Sequence, residues 1–123
     1  MSTTQSEGAE RRRAPRKRPD GHIAVRQLIR HTMGQERLLQ AVVVNVSKSG
    51  ILCYISPATE AYTRVSLELE LSGGVEPRLM SCEGMIMRCQ PTTGGHETAI
   101  QITDFTGLDK QVYEGAVEAL PPV

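Results

Sequence analysis

Val65-Ser66-Leu67-Glu68-Leu69-Glu70-Leu71 alternates apolar and polar residues without a break. Successive side chains of an extended chain point to opposite faces, so this run reads as a strand with one buried and one wetted side. Its neighbours repeat the theme. Downstream, Gly73-Gly74 and Pro77 make a loop, and Cys82 to Gln90 reads as a strand with Met85 and Met87 on one face and Cys82 and Ile86 on the other. Gly94-Gly95 supplies a hairpin turn, and Thr98 to Phe105 follows with Ile100 and Ile102 facing alike. Upstream, Ile51 to Ile55 is a strand ended by Pro57. Leu38 to Val46, built on Ala41-Val42-Val43-Val44, is another, because β-branched residues favour the pleated conformation. Gly34 closes a turn before it, and His22 to Arg30 begins the series with an irregularity near Gln27.

Six short strands with turn signals roughly every ten residues predict an antiparallel barrel or sandwich. Closing the sheet removes exposed edges, which a strand-rich chain of this size has to manage. The period changes at the carboxyl end. Leu108, Val112, Ala116 and Leu120 recur every four residues, predicting an amphipathic helix. Thr106 and Asp109 suggest a capping-box start, and Pro121-Pro122 stops the helix.

The 123 residues suit one domain. With no Trp, and only Tyr54, Tyr62, Tyr113 and Phe105 as aromatics, the core falls to Val, Ile, Leu and Met. Net charge is zero but unevenly spread. Residues 11–18 hold six Lys/Arg and no acid, leaving eight Lys/Arg against fourteen Asp/Glu elsewhere, a net of minus six. We therefore divide the chain into a flexible basic arm, 1–19, and a folded body, 20–123. Pro15 and Pro19 bar a helix in the arm, and its like charges repel one another.

No window approaches the roughly 20 apolar residues of a membrane span, and the first residues lack a secretory signal. Cys53, Cys82 and Cys89 each lie in an apolar run. They are expected to be buried free thiols of a cytoplasmic protein. No metal site is expected, because the cysteine spacing fits no common zinc pattern and His22, His31 and His96 lie in unrelated segments.

Two stretches carry chemistry. In Glu10 to Arg18, a guanidinium offers five donors in a fixed fork and stacks on aromatic planes, so it suits phosphate or the O6/N7 edge of guanine. Arg12 and Arg16, four residues apart, can reach different parts of one ligand. In Asn45 to Gly50, Asn45 both donates and accepts, and Ser47 leaves an extended backbone on the same side. Gly50 removes a side chain or permits a positive backbone angle. Taken alone, the first stretch also reads as a solvated tail and the second as an ordinary Asx-type turn.

Together they resemble the PilZ domain family, in Arg12-x-x-x-Arg16 before the first strand and Asn45-Val46-Ser47-Lys48-Ser49-Gly50 between the second and third. The resemblance covers roughly Glu10 to Leu120. It implies an all-β fold, a small six-stranded antiparallel barrel with a C-terminal helix. It also implies a bacterial receptor for cyclic di-GMP, a second messenger with two guanines and two phosphates, which signals to a protein partner and needs no cofactor. By family analogy Arg12 and Arg16 grip phosphate and guanine, with Arg11 as an auxiliary contact. Asn45 and Ser47 contact a guanine, and Gly50 leaves room for it. Arg13, Lys17 and Arg18 lie outside the matched positions and raise the local potential. In the sixth strand, Ala99 and Ile102 stand where the family often has a glycine and an aromatic.

The alternative is a nucleic-acid-binding barrel using the basic arm, against which stand the acidic body and the want of an aromatic stacking platform. An enzyme is not expected. The segments suggest no nucleophile–base–orienter set, and neither glycine pair belongs to a phosphate-loop pattern.

Overall fold

A computed structural model of the chain describes residues 15–73 and 76–123. Seven strands precede one helix: β1 Ile23–Thr32, β2 Gln35–Leu39, β3 Ala41–Ser47, β4 Gly50–Ile55, β5 Arg64–Leu71, β6 Arg78–Thr92, β7 Gly95–Phe105 and α1 Asp109–Glu118. They form a single antiparallel sheet in the order β2-β1-β5-β6-β7-β4-β3. The alternating run behaves as its pattern demands. Val65, Leu67, Leu69 and Leu71 are buried, with Ser66, Glu68 and Glu70 half-exposed on the other side.

The strand count exceeds the expected six because Gln40 divides the Leu38 to Val46 run. Leu39, before it, pairs with Leu28 of β1, and Ala41, after it, pairs with Ile55 of β4. A β-branched run shows that a chain is extended, not which neighbour it pairs with. The division has a geometric consequence. β2 and β3 are the two edges of the sheet, yet the Cα atoms of Leu39 and Ala41 are at most about 7 Å apart along the chain. The sheet must therefore curl until its edges meet, and β1 does pack against β3.

The β1–β2 turn is tight. Met33 and Gly34 both have positive φ, 41° and 79°, the backbone twist that a two-residue hairpin between right-twisted strands requires. The irregularity expected near Gln27 is a β-bulge between Val25 and Gln27.

Leu28, Ile51, Val65, Leu69 and Ile86 fill the interior, each fully buried. Removing such side chains from water stabilises the fold by about 1.5–3 kcal/mol apiece. Helix α1 covers one open end. Its buried face is Tyr113, Val117 and, just past its end, Leu120, with Val112 and Ala116 packed partly against the core. Leu108 is not on that face but 72% exposed. A strict four-residue repeat drifts around a helix of 3.6 residues per turn, so a stripe extended to its first member leaves the core. The capping box does not form. Leu108 occupies the N-cap with no side-chain hydrogen bond, while the Asp109 carboxylate accepts from Arg78 at 3.2 Å.

All three cysteines are free, Cys53 and Cys82 buried and Cys89 half-buried. Burial pushes the Cys53 and Cys82 thiols up to about 12. Among the described residues no helix is long and apolar enough to cross a membrane.

Candidate ligand-binding site

The last residues of the basic stretch are built into the body. Lys17 pairs with Val46 on the free edge of β3, N–H to O at 2.7 Å one way and 2.9 Å the other. On its far side the C-terminal tail docks, with Arg18 N–H donating to Pro121 O at 2.9 Å and Val123 N–H to Arg16 O at 3.2 Å. Local composition gives no hint of this, because the second partner is more than a hundred residues away. Extended pairing then sorts the cations by alternation. The Lys17 ammonium donates to the Glu118 and Leu120 carbonyls at 3.3 and 3.1 Å, where the helix end is rich in unpaired acceptors. Arg16 goes the other way, and its Nη1 donates to Asn45 Oδ1 at 3.3 Å. Arg11 and Arg12 lie outside the described residues.

Ser47 is 3% exposed. Its hydroxyl accepts from the Ser49 N–H at 3.3 Å, and its carbonyl accepts from the buried Tyr113 hydroxyl at 2.8 Å. Burial pushes that phenol's pKa up, and the nearby Arg16 charge opposes the rise. Lys48, in the same turn, meets Glu118 at 3.0 Å and holds its carboxyl below the usual range. The turn of N-x-S-x-x-G is thus tied to α1 from two sides. Gly50 faces Gln101 across the β4–β7 ladder, and a Cβ there would stand 2.7 Å from the Ile100 carbonyl oxygen. Strand approach alone demands a glycine at this position.

The outer surface around Asn45 is set by two bulges. Val43 faces inward opposite Cys53, so simple alternation would turn Asn45 inward as well. One extra residue, Val44, is inserted instead, and Asn45 pairs with Leu52 on the outer face. The same happens on β6. Cys82, Gly84 and Ile86 are buried, and alternation would send Arg88 after them. A bulge at Met87 brings Arg88 opposite Ala99 and out to solvent, and Cys89 opposite the buried Thr98. One row therefore crosses four strands on the outside, Asn45–Leu52–Ala99–Arg88, and the next holds Ser47–Gly50–Gln101–Met85. Ile102 packs against the core instead. Arg88 and Gln101 are missed by the sequence reading, since pairing register, and no local pattern, places them.

Two other features stand apart from this face. A cleft of about 600 Å³ runs between α1 and the β5–β6 connection, lined in part by His22, Leu71, Val112 and Leu120. On β1, β2, β5 and β6, sheet pairing assembles a set that the linear order hides. Glu36 Oε2 lies 3.2 Å from His31 Nδ1, His31 Nε2 lies 2.7 Å from Ser66 Oγ, and Ser66 donates to Glu83 at 3.0 Å. The set runs the wrong way for nucleophilic catalysis. Ser66 gives its proton to Glu83, not to the imidazole that would have to take it from a nucleophile. No group of three His, Cys, Asp or Glu among the described residues can hold a metal ion.

A curled antiparallel sheet capped by one helix, with a basic segment clamped beside N-x-S-x-x-G, defines the class. The PilZ domain family model matches residues 10–119, and the chain belongs to that family. Its domains are cyclic di-GMP receptors and adaptors rather than enzymes. No curated protein matches the sequence. Among solved structures, the Bacillus subtilis inhibitor of motility (MotI/DgrA) is similar with a TM-score of 0.65 at 15% identity, over 87% of this chain and 49% of that one. At that identity the likeness concerns the fold, and this chain spans about half of the neighbour's length.

Proposed function

We propose that this protein is a cytoplasmic bacterial receptor that binds cyclic di-GMP and passes the signal to a protein partner. The observation that carries the reading is the hydrogen bond from Arg16 to Asn45, 29 residues apart in sequence. It joins the two stretches that family analogy assigns to one ligand, and Asn45 lies on the outer face of β3. Family membership supports the choice of ligand. Arg12 and Arg16 would hold phosphate and guanine, aided by Arg11, with Asn45 and the Ser47–Gly50 turn forming the barrel side of the site.

Binding has a structural route to the partner. The Arg16 main chain bonds to the C-terminal tail, and Lys17 caps α1. A ligand that pulls Arg16 off Asn45 would therefore disturb the helix end and the surface presented there.

Titration with cyclic di-GMP, GTP and cyclic di-AMP, followed by NMR at the Arg16, Ser47 and Gly50 amides, tests the proposal. Saturable shifts with the first ligand alone are expected. Arg12→Ala and Arg16→Ala should nearly abolish them, since each removes charge-assisted bonds of about 1.5–3 kcal/mol apiece. Indifference to the dinucleotide, together with steeply salt-dependent binding of DNA or RNA, would establish the nucleic-acid reading instead.

A further inference from the structure

We infer that Arg88 is a specificity-determining residue, closing the far side of the ligand face and reading the O6/N7 edge of a guanine that lies flat on Leu52 and Ala99. The inference rests on the cyclic di-GMP reading and deepens it.

The row Asn45–Leu52–Ala99–Arg88 has a polar group at each end and two apolar residues between. With strands about 4.8 Å apart, three ladder steps separate Asn45 from Arg88 by about 14 Å along the surface. Leu52 and Ala99, both half-buried, offer a low apolar floor on which a base can rest. Ala99 keeps that floor shallow, and no aromatic rises from it.

Both ends owe their direction to a bulge. Paired without a bulge, Val43-Val44-Asn45 and Ile86-Met87-Arg88 would alternate regularly and turn Asn45 and Arg88 toward the core. A bulge interrupts the ladder locally, and bulges commonly re-aim a side chain beside a site. Two of them bracketing one row, each turning a polar residue onto the same outer face, is what a two-sided ligand contact requires.

Arg88 is also available. Among the described residues its side chain makes no hydrogen bond or ion pair, whereas Arg26 and Arg78 are each engaged by a carboxylate. A guanidinium fork meets two acceptors side by side. Guanine presents O6 and N7 in that spacing, while adenine replaces O6 with a donor. A lysine at the same place supplies one charge but no fork.

The test is an NMR titration of the full chain with cyclic di-GMP and with cyclic di-AMP, on wild type, Arg88→Ala, Arg88→Lys, Arg16→Ala and the distant surface control Arg37→Ala. Because Arg88 is exposed, thermal melts of its variants should match wild type. Arg88→Ala is expected to weaken cyclic di-GMP roughly ten- to hundredfold, with cyclic di-AMP as silent as on wild type. Arg88→Lys should recover only a small part, and Arg37→Ala should be silent. If wild type binds and Arg16→Ala does not, but Arg88→Ala binds like wild type or like Arg37→Ala, the inference is wrong while the receptor reading stands. If Arg88→Ala weakens cyclic di-GMP but Arg88→Lys restores it fully, charge alone suffices and guanine reading by Arg88 is overturned. Failure of wild type to bind would instead remove the receptor reading, and this inference with it.

Discussion

Lys17 is where the structure and a purely electrostatic reading of the basic arm part company. As one charge among six, its loss should lower ligand affinity a little and leave the fold alone. The structure assigns it a second task. Its ammonium donates to the Glu118 and Leu120 carbonyls at 3.3 and 3.1 Å, at the end of a helix whose last turn has no basic residue of its own. Lys17→Met keeps much of the apolar stem and removes only the charge and its donors. A charge-assisted hydrogen bond contributes about 1.5–3 kcal/mol when well buried, but the Glu118 contact is exposed and screened by solvent. A cation at a helix C-terminus adds about 0.3–1 kcal/mol. The discounted total is about 1–2 kcal/mol, or roughly 4–8 °C in melting temperature for a domain of this size. Urea denaturation without ligand measures it directly. The midpoint should fall with an unchanged m-value, and the loss should persist in salt that screens exposed pairs. A shift within about 0.5 kcal/mol, as for an ordinary surface change, would refute the capping role and return Lys17 to the general field of the arm.

Three further outcomes follow from named contacts. Gly50→Ala places a methyl 2.7 Å from the Ile100 carbonyl oxygen, so it should cost roughly 1–3 kcal/mol in ligand-free denaturation; full stability would mean that the glycine serves only the ligand. Gly115 lies in α1, exposed and with no atom within 4 Å of an added Cβ. Gly115→Ala should therefore raise stability by about 0.5–1 kcal/mol, and a loss would show that this turn is not helical in solution. The Cys53 and Cys82 thiols ionise near 9 in the unfolded chain and at about 12 when folded. The unfolded state thus releases protons first as pH rises. Stability is intact below pH 9 and declines between 9 and 12, by up to about 1.4 kcal/mol per pH unit for each thiol. Cys53→Ala with Cys82→Ala should flatten that decline; an unchanged slope would show that the thiols are not shielded.

Much of the architecture is legible in one dimension because burial imposes a period. The Val65 to Leu71 alternation, the Gly34 and Gly94-Gly95 turns and the bulge near Gln27 each follow from constraints within a few residues of chain. So does the existence of the terminal helix, though not its buried face, since Tyr113 and not Leu108 enters the core. The chemistry of Arg16 and Asn45 is likewise evident from residue type, as is the oddity of Ala99 and Ile102.

What tertiary structure alone decided is which of these groups meet and which way they point. Gln40 divides an extended run between two partners because the sheet must curl to close. The Arg16–Arg18 segment is held by Val46 and by a tail more than a hundred residues on. Bulges at Val44 and Met87 hold Asn45 and Arg88 on the outer face where plain alternation would turn them inward, and no property of the local sequence encodes a bulge whose meaning depends on the strand opposite. Periodicity is local, and ladder register is a property of two strands at once, so the strands could be read from the chain while the face they form could not.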